Sequence, residues 1–286
     1  MHAELAHIPL ARLADAYGID DVSDAYPLRV GTNVVVALPA AGKVMRIRTA
    51  SVMAVHSNLL DVADLARRAD VLGPASEMLS IVGEYVVTLW PLGYDLPTVE
   101  EGYAGFGAAL RSLHQLSPRD GLGRLNTLWR LDARLPELAE LGVPADDVDF
   151  LRRRADELRG VHDAMRFSGS DLIHADAHIG NAVIADGAVK LIDLDGLRVG
   201  PWQYDLVPTA VAARRCGEVA IFEQVVAGYG RDPRGWEFFN DACALRELTS
   251  VSWLGTMYAY SETHRDEFHR QLDSLRDGTD HRWRAL

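Results

Sequence analysis

Residues 172–200, LIHADAHIGNAVIADGAVKLIDLDGLRVG, constrain this chain more than any other stretch. Asn181-Ala-Val-Ile-Ala reads as a strand, Asp186-Gly187 as a turn signal, and residues 188–194 as the return strand. A three-residue loop over 186–188 sets Ala185 opposite Val189, Val183 opposite Leu191 and Asn181 opposite Asp193. Cross-strand partners have Cβ atoms about 5 Å apart, which suits two oxygen ligands on one ion. A two-residue loop instead sets Asn181 and Asp193 on opposite faces. The first register is the expected one.

The polar residues bordering this hairpin follow an order: His174-x-Asp176-x4-Asn181, then Ile192-Asp193-x-Asp195. One carboxylate is available to orient or deprotonate a hydroxyl; an amide and a second carboxylate are available to hold a metal. Phosphoryl transfer from a nucleotide uses these parts, because its catalysis is mostly positioning and charge neutralisation.

The two motifs together resemble the aminoglycoside phosphotransferase and choline kinase group, which shares the protein-kinase-like fold. The resemblance is strongest over residues 173–205. It implies an α+β, two-lobed fold with a small β-rich N-lobe (residues 1–91) and a larger, mostly helical C-lobe (residues 92–286). It further implies Asp176 as catalytic base, Asn181 and Asp193 as Mg²⁺ ligands, and Asp195 as a second-metal or network residue. His174 is expected to support the catalytic loop. Asp205, in Gln-Tyr-Asp-Leu, is expected to cap a helix and pin that loop through backbone N–H groups. ATP or GTP with Mg²⁺ is the implied donor. Acceptors of the group include aminoglycosides, other antibiotics, amino sugars, choline and homoserine, so resistance and primary metabolism are both open.

The segments before residue 92 suit the small lobe. Residues 4–17 have apolar spacing of a helix; Val30, residues 34–38 and residues 44–47 are strand-like, with Pro39-Ala-Ala-Gly42 as a loop. A helix over 52–69 and short strands at 78–82 and 85–90 follow. Period-two alternation puts Val44, Arg46 and Arg48 on one face, and Arg46 is the expected phosphate contact. Gly31, Thr32 and Asn33 form a glycine-poor phosphate loop. The helix lacks the glutamate that usually pairs with the strand cation; Asn58 falls nearest that position, with Asp61 and Asp64 as substitutes. Leu89 and Trp90 stand at the expected hinge, where backbone groups meet the purine.

The remainder patterns as helices over 99–115, 128–141, 145–165, 204–216, 218–228, 235–260 and 261–275. Acceptor contacts are expected here, with Glu247 and His178 as candidates; Glu247 has internal pairing with Arg246 or Arg215 as its alternative. Glu262, Asp266 and Glu267 read as a solvated face, and Trp202 and Trp253 as packing residues.

Composition narrows the setting. The 286 residues are 48% hydrophobic, enough for a sizeable core. No apolar run suggests a membrane span or secretory signal, and two cysteines, Cys216 and Cys243, read as buried thiols of a reduced cytoplasmic protein. The formal charge, 29 − 41 = −12, argues against nucleic-acid or anionic-membrane partners and tilts toward a cationic acceptor. A monomer or homodimer is expected.

Competing readings are a non-catalytic nucleotide-binding protein on the same scaffold and a metallohydrolase built on His174, Asp176 and His178. A protein-kinase role is disfavoured, since only twelve positions separate Asp193 from Asp205, too few for a peptide platform.

Overall fold

The alternating apolar segments of the N-terminal third pair into an antiparallel sheet in the computed structural model, which describes residues 8–29, 33–48, 52–96, 100–279 and 282–284. Its strands are β1 (Tyr26–Arg29), β2 (Asn33–Leu38), β3 (Lys43–Arg48), β4 (Ser80–Val82) and β5 (Tyr85–Pro91), in the order β1-β2-β3-β5-β4. The β2–β3 hairpin turns through a short 3₁₀ segment, Pro39–Ala41, and Gly42 closes it at φ 62°. Proline fixes the entry dihedral and glycine accepts the left-handed one. Helix α1 (Leu10–Asp15) buries Leu10 and Leu13 with Val36, Leu38, Met45, Ile47 and Val87. Helix α2 (Val52–Ala66) follows β3.

The hairpin of β8 (Ala182–Ala185) and β9 (Ala188–Leu191) belongs to the same unit. It pairs with β6 (Tyr94–Asp95) and is stitched to the segment after α2 by Leu72 N–H to the Leu191 carbonyl and Leu191 N–H to the Asp70 carbonyl, both 2.9 Å. Residues 182–195 therefore group with residues 1–97, and the second unit holds residues 98–181 and 196–286. The expected single cut at 91/92 differs because β6 lies beyond it and carries the hairpin with it.

The hairpin register departs from expectation. Ala185 faces Ala188, Ile184 faces Val189, Val183 faces Lys190 and Ala182 faces Leu191. The loop is thus two residues, Asp186 (φ 52°) and Gly187 (φ 74°). Two successive positive dihedrals are those of a type I′ turn, whose twist matches the flanking strands. The ladder stops at Ala182 and Leu191, so face alternation does not reach Asn181 or Asp193.

The second unit is mainly helical: α3 (Glu100–His114), α4 (Leu128–Glu140), α5 (Ala145–Met165), α6 (Val207–Cys216), α7 (Val219–Tyr229), α8 (Phe239–Gly255) and α9 (Glu262–Asp277). Two short strands, β7 (Asp171–Ile173) and β10 (Arg198–Gly200), pair antiparallel. Leu131, Leu138, Leu151, Leu245, Val251 and Phe268 sit in its core. Helix α9 is capped by Ser261, whose hydroxyl accepts the His264 N–H, and ends on Gly278 in the left-handed region. Among the described residues, no helix is long and apolar enough to cross a membrane. Cys216 and Cys243 are free thiols, Cys243 buried.

Helices α3 and α7 pack backbone to backbone. A Cβ on Gly107 would strike the Val225 carbonyl, and one on Gly228 the Ala104 carbonyl. Overpacking of this kind costs about 1–3 kcal/mol. Gly228→Ala should therefore lower the melting temperature by roughly 2–10 °C, measured calorimetrically. Gly160→Ala, where nothing lies within 4 Å, should leave it equal or higher.

Candidate active site

The second unit carries the loop that follows β7. Its anchor is Asp205, fully buried, whose carboxylate accepts the His174 N–H (2.6 Å) and the Ala175 N–H (2.8 Å). His114 Nε2 lies 2.9 Å from the same carboxylate, and His114 Nδ1 lies 2.9 Å from the Tyr229 hydroxyl. Tyr229 in turn stacks on Trp202, with ring centroids 4.8 Å apart. A buried carboxylate needs such donors to offset its lost hydration. The expected capping role is corrected. Asp205 lies inside a 3₁₀ turn, Trp202–Leu206, and α6 starts without a side-chain cap, because the carboxylate is spent on the loop.

Held this way, Ala175 adopts φ 65° and the chain turns sharply into Asp176. Non-glycine residues in the left-handed region store strain and cluster where geometry serves a purpose. The Asp176 side chain, 25% exposed, accepts Nη1 of Arg130 at 2.8 Å and Nη1 of Arg246 at 3.0 Å. Burial alone would raise its pKa, but Arg246, the hydrogen-bonded Arg130 and His178 together outweigh it and hold the carboxyl well below the usual range. Asn181 is buried; its amide nitrogen donates to the Asp176 carbonyl at 2.9 Å, and its backbone N–H donates to the His178 carbonyl. That fixes the amide and, among the described residues, leaves its oxygen open as an acceptor.

The first unit carries the other acidic pair. Arg46 Nη2 sits 2.9 Å from both Asp193 Oδ1 and Asp195 Oδ2, and Arg48 Nη1 is 3.2 Å from Asp195. Arg29 Nη1 is 4.0 Å from Asp193. Burial, then the neighbouring Arg46, lowers the Arg48 pKa. Asp193 itself has φ 60°, a second strained position. Met45 and Ile47 face the core while Arg46 and Arg48 share the opposite face, as strand alternation requires.

Each unit by itself offers oxygen donors of the kind a hard divalent ion takes, the second the amide of Asn181 and the first the carboxylates of Asp193 and Asp195. A guanidinium already bridges the two aspartates, so positive charge is accommodated there. Among the described residues, no three His, Cys, Asp or Glu side chains gather as metal ligands, which removes the His174–Asp176–His178 cluster.

Several of the residues expected at the site have partners within the protein. Glu247 is buried and pairs bidentately with Arg215, Nε to Oε1 at 2.8 Å and Nη2 to Oε2 at 2.7 Å, so it is structural. Glu267 is also buried, accepting from Gln271 and from the Arg284 N–H, and leaves the solvated face to Glu262 and Asp266. The Leu89 carbonyl, expected at a purine, accepts the Ala75 N–H at 2.8 Å, while Leu89 is buried and Trp90 bonds Thr88 through its indole N–H. Asp64 pairs with Arg67 and Arg68 and has no part in the arginine cluster. Gly31, Thr32 and the side chains of Asn33 and Asn58 lie outside the described residues. Arg130 and Arg246 were missed by sequence reasoning. Helical spacing puts Arg130 on the same side of α4 as Arg134, but only the fold shows what they face.

Residues 69–239 match the phosphotransferase enzyme family (APH), more than half of the chain. Three solved structures share the fold. A spectinomycin phosphotransferase in complex with ADP and spectinomycin is 14% identical with TM-score 0.65, covering 93% of each chain. An amicoumacin kinase in complex with AMP-PNP, Ca²⁺ and its ligand is 15% identical with TM-score 0.68, covering 92% of this chain and 91% of that one. A choline/ethanolamine kinase family protein from Mesorhizobium loti is 18% identical with TM-score 0.63, covering 93% and 92%. No curated protein matches the sequence.

The depressed Asp176 pKa has a pH consequence. A carboxyl whose folded value lies below its unfolded one, about 3.9, contributes stability that is present above that unfolded value. It is lost as pH falls toward the folded value. Carbon-13 titration of Asp176 should show no protonation between pH 8 and 4, and Arg246→Gln should raise its midpoint. An ordinary midpoint in the unaltered protein would contradict the two-arginine clamp.

Proposed function

The chain belongs to the phosphotransferase enzyme family, and on that premise we propose an O-phosphotransferase that moves the γ-phosphate of ATP or GTP to a hydroxyl of a small molecule. The observation that supports this best is the ionised carboxylate of Asp176 on a loop pinned by Asp205. In this reading Asp176 accepts a hydrogen bond from the acceptor hydroxyl and aims its oxygen at the phosphorus. A carboxylate with so low a pKa is a weak base. It therefore orients first and takes the proton late, which suits the loose, metaphosphate-like transition state of phosphoryl transfer.

Asn181, Asp193 and Asp195 would hold Mg²⁺, which when bound neutralises charge on the donor phosphates. Arg46 contacts the donor phosphates in this reading, giving up its bridge to the aspartates. The nucleotides and the divalent ion named for the spectinomycin and amicoumacin enzymes support a nucleotide donor with a metal. His174, fully buried, is a supporting residue in this reading. Antibiotic inactivation and metabolic phosphorylation both fit this chemistry.

The test is Mg²⁺-dependent ADP release across hydroxyl-bearing acceptors, beside nucleotide-induced thermal shifts. Asp176→Asn should reduce turnover by about 10²–10⁴-fold while keeping the nucleotide shift. Asp193→Asn should reduce both. Wild-type turnover by Asp176→Asn would remove the role given to Asp176.

A further inference from the structure

Positive charge outweighs negative around Asp176. Arg130 and Arg134 lie one turn apart on α4, and Arg246 comes from α8. Arg134 donates to the Thr249 carbonyl at 3.1 Å and the Ser252 hydroxyl at 3.2 Å, both neutral acceptors. Three guanidiniums stand beside the one carboxylate of Asp176; the exposed Glu137 also acts on Arg134, and the buried Asp205 is already spent on the loop's N–H groups and His114. Burial first, then Arg130 and Arg246, lowers the Arg134 pKa, while Asp176 and Glu137 act the other way.

Elsewhere in the same unit, arginines both buried (Arg215) and exposed (Arg276) are matched. Arg215 meets both oxygens of Glu247, and Arg276 meets Asp147 at 2.6 Å. Arg130 and Arg246 differ. Each gives Asp176 a single N–H through Nη1, and among the described residues the remaining donors of both forks meet no acceptor. Both side chains are partly open to solvent. A planar fork with unused parallel N–H donors is matched by a carboxylate, sulfate or phosphate.

We propose that the acceptor carries an anionic group, which docks on Arg130 and Arg246 and sets its hydroxyl beside Asp176. The hydroxyl half of this statement rests on the phosphotransferase reading; the anion half does not. The local charge thus runs against the chain's net −12, which by itself tilts toward a cationic acceptor.

Two measurements at constant ionic strength separate the parts. In the first, thermal shifts are recorded with sodium gluconate, sodium sulfate and glucosamine hydrochloride, without nucleotide. Gluconate and sulfate should stabilise the protein and glucosamine should not. Arg246→Gln and Arg130→Gln should weaken the gluconate midpoint roughly ten- to hundred-fold. Arg246→Lys should fall between, and Arg153→Gln, at an exposed position of α5, should change nothing. Circular dichroism checks that each variant is folded, and Arg130, the more exposed of the pair, serves if the Arg246 variant is not.

In the second, Mg-ATP-dependent ADP release is compared for gluconate, glucose and glucosamine. Gluconate should be preferred in kcat/KM. Anion-dependent stabilisation without any transfer would uphold the anion site and count against the phosphotransferase reading. Transfer favouring glucosamine, with no anion-specific stabilisation, would overturn the proposal and leave that reading standing. Equal loss of kcat for all three acceptors in the arginine variants, with gluconate stabilisation unchanged, would assign the forks to the transferred phosphoryl group and also overturn it.

Discussion

A carboxylate shut away from water holds this site in shape. Asp205 is fully buried, and its hydration is replaced by two backbone N–H groups and a histidine. Because both N–H groups belong to consecutive residues of one loop, satisfying the charge also fixes the loop's path. Ala175 must then take a left-handed dihedral, and Asp176 emerges from it in one direction. The cost of that strain is offset by charge-assisted hydrogen bonds. His114, Tyr229 and Trp202 extend the anchor from α3 to α7, the helix pair whose glycines let the backbones touch.

Charge is handled differently in the two units. In the first, three arginines and two aspartates share contacts, and a guanidinium bridges Asp193 and Asp195. That keeps two like charges from repelling across a short 3₁₀ turn, Leu194–Gly196. In the second, Asp176 is outnumbered by arginines. The carboxylate therefore stays ionised at neutral pH, which suits orienting a hydroxyl more than removing its proton.

Much of this was legible in the chain itself. The motif pair around the hairpin, the alternation in β3 and the helical periodicity of α5 all appear in the structure, α5 with its ends at 145 and 165. What escaped has physical causes. Strands β6, β7 and β10 span two or three residues, too few for a period to show. The register turned on whether Asp186-Gly187 forms the whole loop, which depends on dihedrals and not on side-chain pattern. Arg215 with Glu247, and Arg246 with Asp176, join positions 32 and 70 residues apart. Adjacent residues on α8 thus serve a buried pair and the loop that carries Asp176, a distinction that sequence spacing alone does not carry.

The tight turn at Asp186-Gly187 bears on how chains of this kind can change length. Ala182 and Leu191 are paired in a four-rung ladder with no slack in its loop. One inserted residue that entered the ladder instead of the loop would shift one strand by a single position and exchange its inner and outer faces. Deletions meet the same barrier, and only paired changes in both strands would restore the match. An insertion that keeps both faces in place is therefore easier in another loop, and the two-residue turn ties the spacing from Asn181 to Asp193 to the length of the ladder.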